Sequence, residues 1–167
     1  MSFLGNNSCS FFMGIDVQLN RGCSYAVLSE RGRMMDSGWV HGLDFLETAE
    51  TLFHISTEHV PIGVGIDAPR MPLQAPRRFY WEKVKNSWRK KRSSDRGWGR
   101  HCEVILKALG LGNPQWTPVF FECPRWMNLG FQIYEALSEN SHVYEVFPSA
   151  SYKMLRSDCN LRVTLDF

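Results

Sequence analysis

The sequence predicts an α/β fold with a mixed sheet: an antiparallel meander of three strands, then parallel strands joined by crossover helices. Three observations lead there. Ser10 to Ile15 is a continuous apolar run that stops at Asp16, the pattern of a strand covered on both faces. Ser24–Leu28 and Met34–Val40 follow as two strand-like segments on either side of a turn containing Gly32, which predicts a hairpin. A helical stretch then precedes the next strand, Ile62–Ile66, and a strand reached through a helix crosses over right-handed to run parallel to the first.

The helix between them starts at Asp44, with Glu47 three residues on as a capping box, and Phe45, Leu46, Ala49, Leu52 and Phe53 keep helical spacing. Pro61 closes it. Ile62-Gly63-Val64-Gly65-Ile66 alternates apolar residues with glycine, so one face of that strand is bare enough for a backbone or ligand to approach. Residues 70 to 100 show weak periodicity and read as loop with one short helix. Cys102, Ile105, Leu106 and Leu109 mark a helix capped by Gly110 or Gly112. Trp126, Leu129, Ile133, Tyr134 and Leu137 mark another, running to about Glu139. His142–Phe147 reads as a strand ended by Pro148, and Ser149 or Ser151 caps a last helix with Tyr152, Met154 and Leu155.

Bulk properties narrow the class. A chain of 167 residues with 44% apolar and 22% charged residues suits one domain spanning 1–167, long enough to bury about 70% of its unfolded surface. The five cysteines (Cys9, Cys23, Cys102, Cys123, Cys159) are odd in number and contain no C-x-x-C pair. That argues against a disulfide framework or structural zinc and for a reducing compartment. No segment has the length of a signal h-region or a membrane span, so the expectation is a cytoplasmic protein with no membrane partner. The five histidines show no ligand spacing, and there is no Walker loop, G-x-G-x-x-G or G-x-S-x-G.

Three carboxylates recur at strand ends. Asp16 closes the first strand, Asp67 closes the fourth, and Glu145 sits inside the otherwise apolar last one, where a buried acid needs a partner. Sites in open α/β sheets gather outside the carboxyl ends of parallel strands. Acids brought together there repel one another, and a hard cation, Mg²⁺ or Mn²⁺, is the usual remedy. Such a metal can activate water and stabilise the leaving oxygen of a phosphodiester.

Four segments in order, Met13-Gly14-Ile15-Asp16, Gly65-Ile66-Asp67-Ala68-Pro69, Arg100-His101-Cys102-Glu103 and Tyr144-Glu145-Val146-Phe147-Pro148, carry a resemblance. Together they make the chain resemble the domain of unknown function 429 family, predicted nucleases of ribonuclease H-like fold. The resemblance implies a carboxylate metal site of Asp16, Asp67 and Glu145, with Arg100 and Glu103 as additional residues near it. Two departures stand out. Ser149 replaces the acid usual after the last motif's proline, and neither Asp158 nor Asp166 has the context of the family's C-terminal acid. They predict a chain truncated at its C-terminal end, or a member short of full activity.

A basic insertion spans about 77–100. Ten Lys and Arg stand there against Glu82 and Asp95, leaving the segment at +8 and the remainder of the chain at −6. Phe79, Tyr80, Trp81, Trp88 and Trp98 are interleaved with those cations. Cations for phosphates and aromatic faces for unstacked bases predict nucleic-acid binding, with Arg77, Arg78, Arg89, Lys90, Lys91, Arg92, Trp88 and Trp98 as contacts. The combined expectation is a metal-dependent nuclease-like protein acting on nucleic acid. Its rivals are a non-catalytic nucleic-acid-binding module of the same fold and a phosphotransferase of the actin and sugar-kinase type. The loop after Asp16, Val17–Gly22, lacks the Gly-Thr that the last of these needs.

Overall fold

The computed structural model describes residues 10–159, with side chains through residue 156. Asp166 and Cys9 lie outside the described residues. The order is β1 (Phe11–Asp16), β2 (Cys23–Ser29), β3 (Met34–Val40), α1 (Phe45–His59), β4 (Gly63–Asp67), β5 (Phe79–Glu82), β6 (Ser87–Lys90), α2 (His101–Ala108), a 3-10 turn (Phe120–Glu122), α3 (Arg125–Ser138), β7 (Val143–Glu145) and α4 (Pro148–Cys159). Contacts group these elements into two compact units. One runs through Arg70 and adds Arg125–Glu145; the other takes Met71–Pro124 and the chain from Val146 on.

The first unit is built on a five-stranded mixed sheet in the order β3-β2-β1-β4-β7. The meander β1–β2–β3 is antiparallel, and β4 and β7 run parallel to β1, as the crossover argument expects. Strand alternation divides the sheet into two unlike faces. Met13, Ile15, Val27, Val64 and Ile66 turn to one side, where they pack with Ala49 and Leu52 of α1 and Leu129, Ile133 and Leu137 of α3. The other side holds Phe12, Gly14, Trp39 and Tyr144, all exposed. The apolar run of β1 is therefore buried on one face only, where the sequence pattern predicts both.

Local chemistry explains the helices. Asp44 adopts an extended conformation and its carboxylate accepts from Glu47 N at 2.9 Å, while the Glu47 carboxylate accepts from Leu43 N. Val60 ends α1 in the left-handed region (φ 47°) just before Pro61 blocks continuation. Along α3, Met127, Gly130, Ile133, Tyr134 and Leu137 form the buried stripe. Gly130 is needed there because a Cβ at that position would lie 2.9 Å from the Ala68 Cβ.

The second unit departs from expectation. Residues 79–90 form an antiparallel hairpin, β5–β6, rather than loop or helix. Its four-residue turn ends at Asn86 in the left-handed region (φ 49°), a conformation asparagine tolerates. Short strands of aromatic and basic residues give little periodic signal, since both faces carry large side chains. The last strand is also shorter than expected, ending at Glu145, and α4 begins at Pro148, ahead of the serines offered as caps. Cys23, Cys102 and Cys123 are free thiols, and no helix among the described residues is long and apolar enough to cross a membrane.

Gly130→Ala tests the packing of α3 on the end of β4. The methyl would meet a short, rigid neighbour, so the variant should lose about 1–3 kcal/mol, read as a lower melting temperature. Unchanged stability would show that the helix can retreat freely.

Candidate functional site

Parallel pairing of β1 with β4 makes Asp16 and Asp67 register partners, on strands about 4.8 Å apart. Residues opposite one another in a ladder share a face, so both carboxylates project from the exposed side of the sheet. The neighbouring partners on that face are Gly14 and Gly65. Among the described residues, a Cβ on Gly14 would meet nothing within 4 Å, so the face is open at that position. Asp67 is partly buried, and desolvation, reinforced by the charge of Asp16, pushes its carboxyl up to about 6. The Gln18 amide donates to Asp16.

The backbone around Asp67 is held from the core side. Tyr134 of α3 places its hydroxyl 3.2 Å from Ile66 O and 3.1 Å from Ala68 O, on either side of the acid, and donates to this carbonyl pair. Neither Gln18 nor Tyr134 stands out in the sequence. Only the position of Gln18 in the loop directly after Asp16 offers a clue. Gln18 also lines a cavity of about 680 Å³ with His41, Asp44, Arg125 and Gln132.

Glu145 is placed differently. It pairs with Ile66, one residue before Asp67, so strand alternation aims it away from the acid pair. It is exposed at the last position of β7, and its Oε2 accepts from Arg70 N at 3.0 Å. The sequence places it in the interior of an apolar strand; because β7 stops there, the acid escapes burial. Among the described residues no three His, Cys, Asp or Glu side chains are grouped to hold a metal ion. Asp16 and Asp67 are thus brought together, and Glu145 remains apart.

Arg100 and Glu103 serve the start of α2. Glu103, only 3% exposed, accepts from Arg100 N at 3.0 Å, Arg100 Nε at 2.8 Å, Thr117 N at 2.9 Å and the Thr117 hydroxyl. Both of its oxygens are engaged within the protein. That arrangement ties the helix start to the chain at Thr117.

The basic segment separates into inward and outward cations. The Arg77 guanidinium lies over the rings of Tyr80 at 4.1 Å and Trp116 at 4.5 Å, with its nitrogens buried. Arg89 grips Asp95 through two bonds of 2.6 and 3.0 Å, and these hold the Asp95 carboxyl far below its ordinary value. Arg92 and Lys85 pair with Glu82 at 3.4 and 3.3 Å. Trp98 donates to Glu122, with the Arg96 guanidinium 4.7 Å above its ring. Arg78, Lys90 and Lys91 are exposed and make no ion pair among the described residues. Of the cations named from sequence, Arg77 and Arg89 are therefore committed to the fold, and Arg92 to a surface ion pair.

No family model, curated protein or solved structure matches this chain.

The acid pair makes a definite pH prediction. A carboxyl raised in the folded state opposes folding when ionised, so Asp67 lowers stability as pH rises from about 4 through about 6. Asp67→Asn should stabilise the metal-free protein at pH 7.5 by on the order of 2 kcal/mol, read as a higher melting temperature, and leave the melting temperature nearly unchanged at pH 4. Equal effects at both pH values would show that the charge is not the cause.

Proposed function

We propose that this protein is a metal-dependent, nuclease-like hydrolase of phosphodiester bonds in nucleic acid, with Asp16 and Asp67 as its metal ligands. The reading rests chiefly on one observation: two carboxylates side by side at the ends of neighbouring parallel strands, on a bare face, one of them resisting ionisation. Two such oxygen donors suit Mg²⁺ or Mn²⁺. When bound, that ion supplies charge for the phosphate oxygens and a more acidic water. The chain does the rest. Asp16 and Asp67 hold the donor oxygens, Tyr134 fixes the backbone on either side of Asp67, and Gly14 leaves room for a backbone phosphate. Arg70, exposed and three residues past Asp67, supplies a cation in the same segment. The ribonuclease H-like assignment belongs to the same proposal, supported by the strand order and by the resemblance of the four segments.

A second reading, a nucleic-acid-binding module without catalysis, is favoured by the placement of Glu145. With that acid turned to Arg70 N, two protein carboxylates stand where the resemblance implies three.

The test is a Mn²⁺ and Mg²⁺ titration with pooled DNA and RNA, read as cleavage and as melting temperature. At metal a hundredfold above its Kd, stabilisation should be about 2.7 kcal/mol. Asp16→Asn and Asp67→Asn should abolish both effects, and Glu145→Gln should reduce them less. Gly14→Val should keep the fold and the metal response but suppress cleavage by covering the bare face. Metal binding without cleavage would select the second reading. No response to metal by the wild type would remove the acids from any functional role.

A further inference from the structure

The β5–β6 ribbon has two faces with different work to do, and the division is set by its register. Phe79 pairs with Lys90, Tyr80 with Arg89, Trp81 with Trp88 and Glu82 with Ser87. Opposed residues share a face and successive residues alternate. One face therefore carries Tyr80, Glu82, Ser87 and Arg89. It is the inward one: Tyr80 is 4% exposed, its hydroxyl accepts from Gly97 N, and the guanidiniums of Arg77 and Arg89 both lie over its ring.

The other face carries Phe79, Trp81, Trp88 and Lys90, and it is open. Phe79 is 51% exposed and Trp88 41%. Trp81 meets Trp88 edge to face, with ring centroids 5.4 Å apart, and His101 stacks on Trp88 at 5.2 Å with the planes only 14° apart. These contacts hold Trp88 in place while leaving part of its ring to solvent. A contiguous exposed aromatic patch, unlike a scattered ring, marks a contact surface. Lys90 shares this face with the rings, so an occupant must offer flat apolar faces and negative charge together.

We propose that this outward face binds the unpaired bases of a single-stranded nucleic acid, with Phe79 and Trp88 stacking on bases and Lys90 meeting a phosphate. The inference rests on the nucleic-acid reading above and narrows it to single strands. A duplex satisfies the cation but keeps its base faces stacked on each other, so the rings gain nothing from it. Stacking tolerates any base, and phosphates are common to DNA and RNA, so the chemistry selects unpaired strands of either sort. Inward contacts also decide what does not bind. Arg77 and Arg89, though basic and central in the segment, spend their charge inside the protein.

Fluorescence anisotropy of labelled oligo-dT and oligo-U of about twelve nucleotides, beside a duplex of equal length, tests this on the full chain. Excess chelator prevents cleavage and makes the readout independent of the acid pair. Both single strands should bind at least tenfold more tightly than the duplex and quench tryptophan fluorescence. Phe79→Ala and Trp88→Ala should each weaken single-strand binding about tenfold with little effect on duplex binding, and Trp88→Tyr should recover most of the loss. With Lys90 as the phosphate contact, single-strand affinity should fall about threefold between 50 and 200 mM salt. Lys90→Ala should flatten that dependence. A preference for duplex, or full single-strand affinity in both Phe79→Ala and Trp88→Ala at unchanged circular dichroism, would overturn the proposal. Binding through Trp88 in a protein that cleaves nothing would uphold it and defeat the nuclease reading instead.

Discussion

The in-register parallel pairing of β1 with β4 is the constraint on which the first unit depends. It requires α1 as a crossover, sets the face on which α1 and α3 pack, and leaves Met13, Ile15, Val64 and Ile66 pointing together into one core. The same register aligns Asp16 with Asp67 on the opposite face. Core and acid pair are thus two consequences of one ladder, because alternation sends every second residue to each side. A one-residue slip of either strand would bury its carboxylate and expose its share of the core, so the apolar cluster itself holds the acids in register.

That arrangement opposes two forces. Burial of Ile15 and Ile66 favours the alignment, while the neighbouring acids repel each other through partly desolvated surroundings, which is why the Asp67 carboxyl is driven up to about 6. The unfavourable charge is tolerated because the backbone has little freedom to move away. Tyr134 bonds to the carbonyl pair flanking Asp67, and Gly130 lets α3 come within van der Waals distance of Ala68. A strained charge pair on a rigid support is where a cation has most to gain by binding.

The second unit solves a different problem: how a strongly basic segment folds at all. It turns some cations inward against aromatic rings and carboxylates and leaves the rest outside. Arg77 sits between Tyr80 and Trp116, and Arg89 is closed by Asp95. Glu103 supplies a buried anchor through Arg100 and Thr117. The outward rings and cations of β5–β6 are what the inward set does not use. Charge in such a segment is therefore a poor guide to contact until the register of its strands is known.

The sequence by itself determined the meander, the crossover to a parallel strand, a helix between Asp44 and Pro61, one over Cys102–Leu109, one from Trp126 to about Glu139, and the meeting of Asp16 with Asp67. Each rests on apolar spacing, capping residues or chain handedness, which act over short stretches and survive any tertiary context. Tertiary structure decided the rest. Glu145 left the expected acid cluster because β7 pairs it with Ile66 and ends at that position, a matter of register that no local pattern records. The β5–β6 hairpin stayed hidden because Phe79, Tyr80, Trp81 and Trp88 place bulk on both faces and erase the alternation. Which arginines face inward depends on partners far along the chain, as Trp116 does for Arg77, and distance in sequence carries no sign of distance in space.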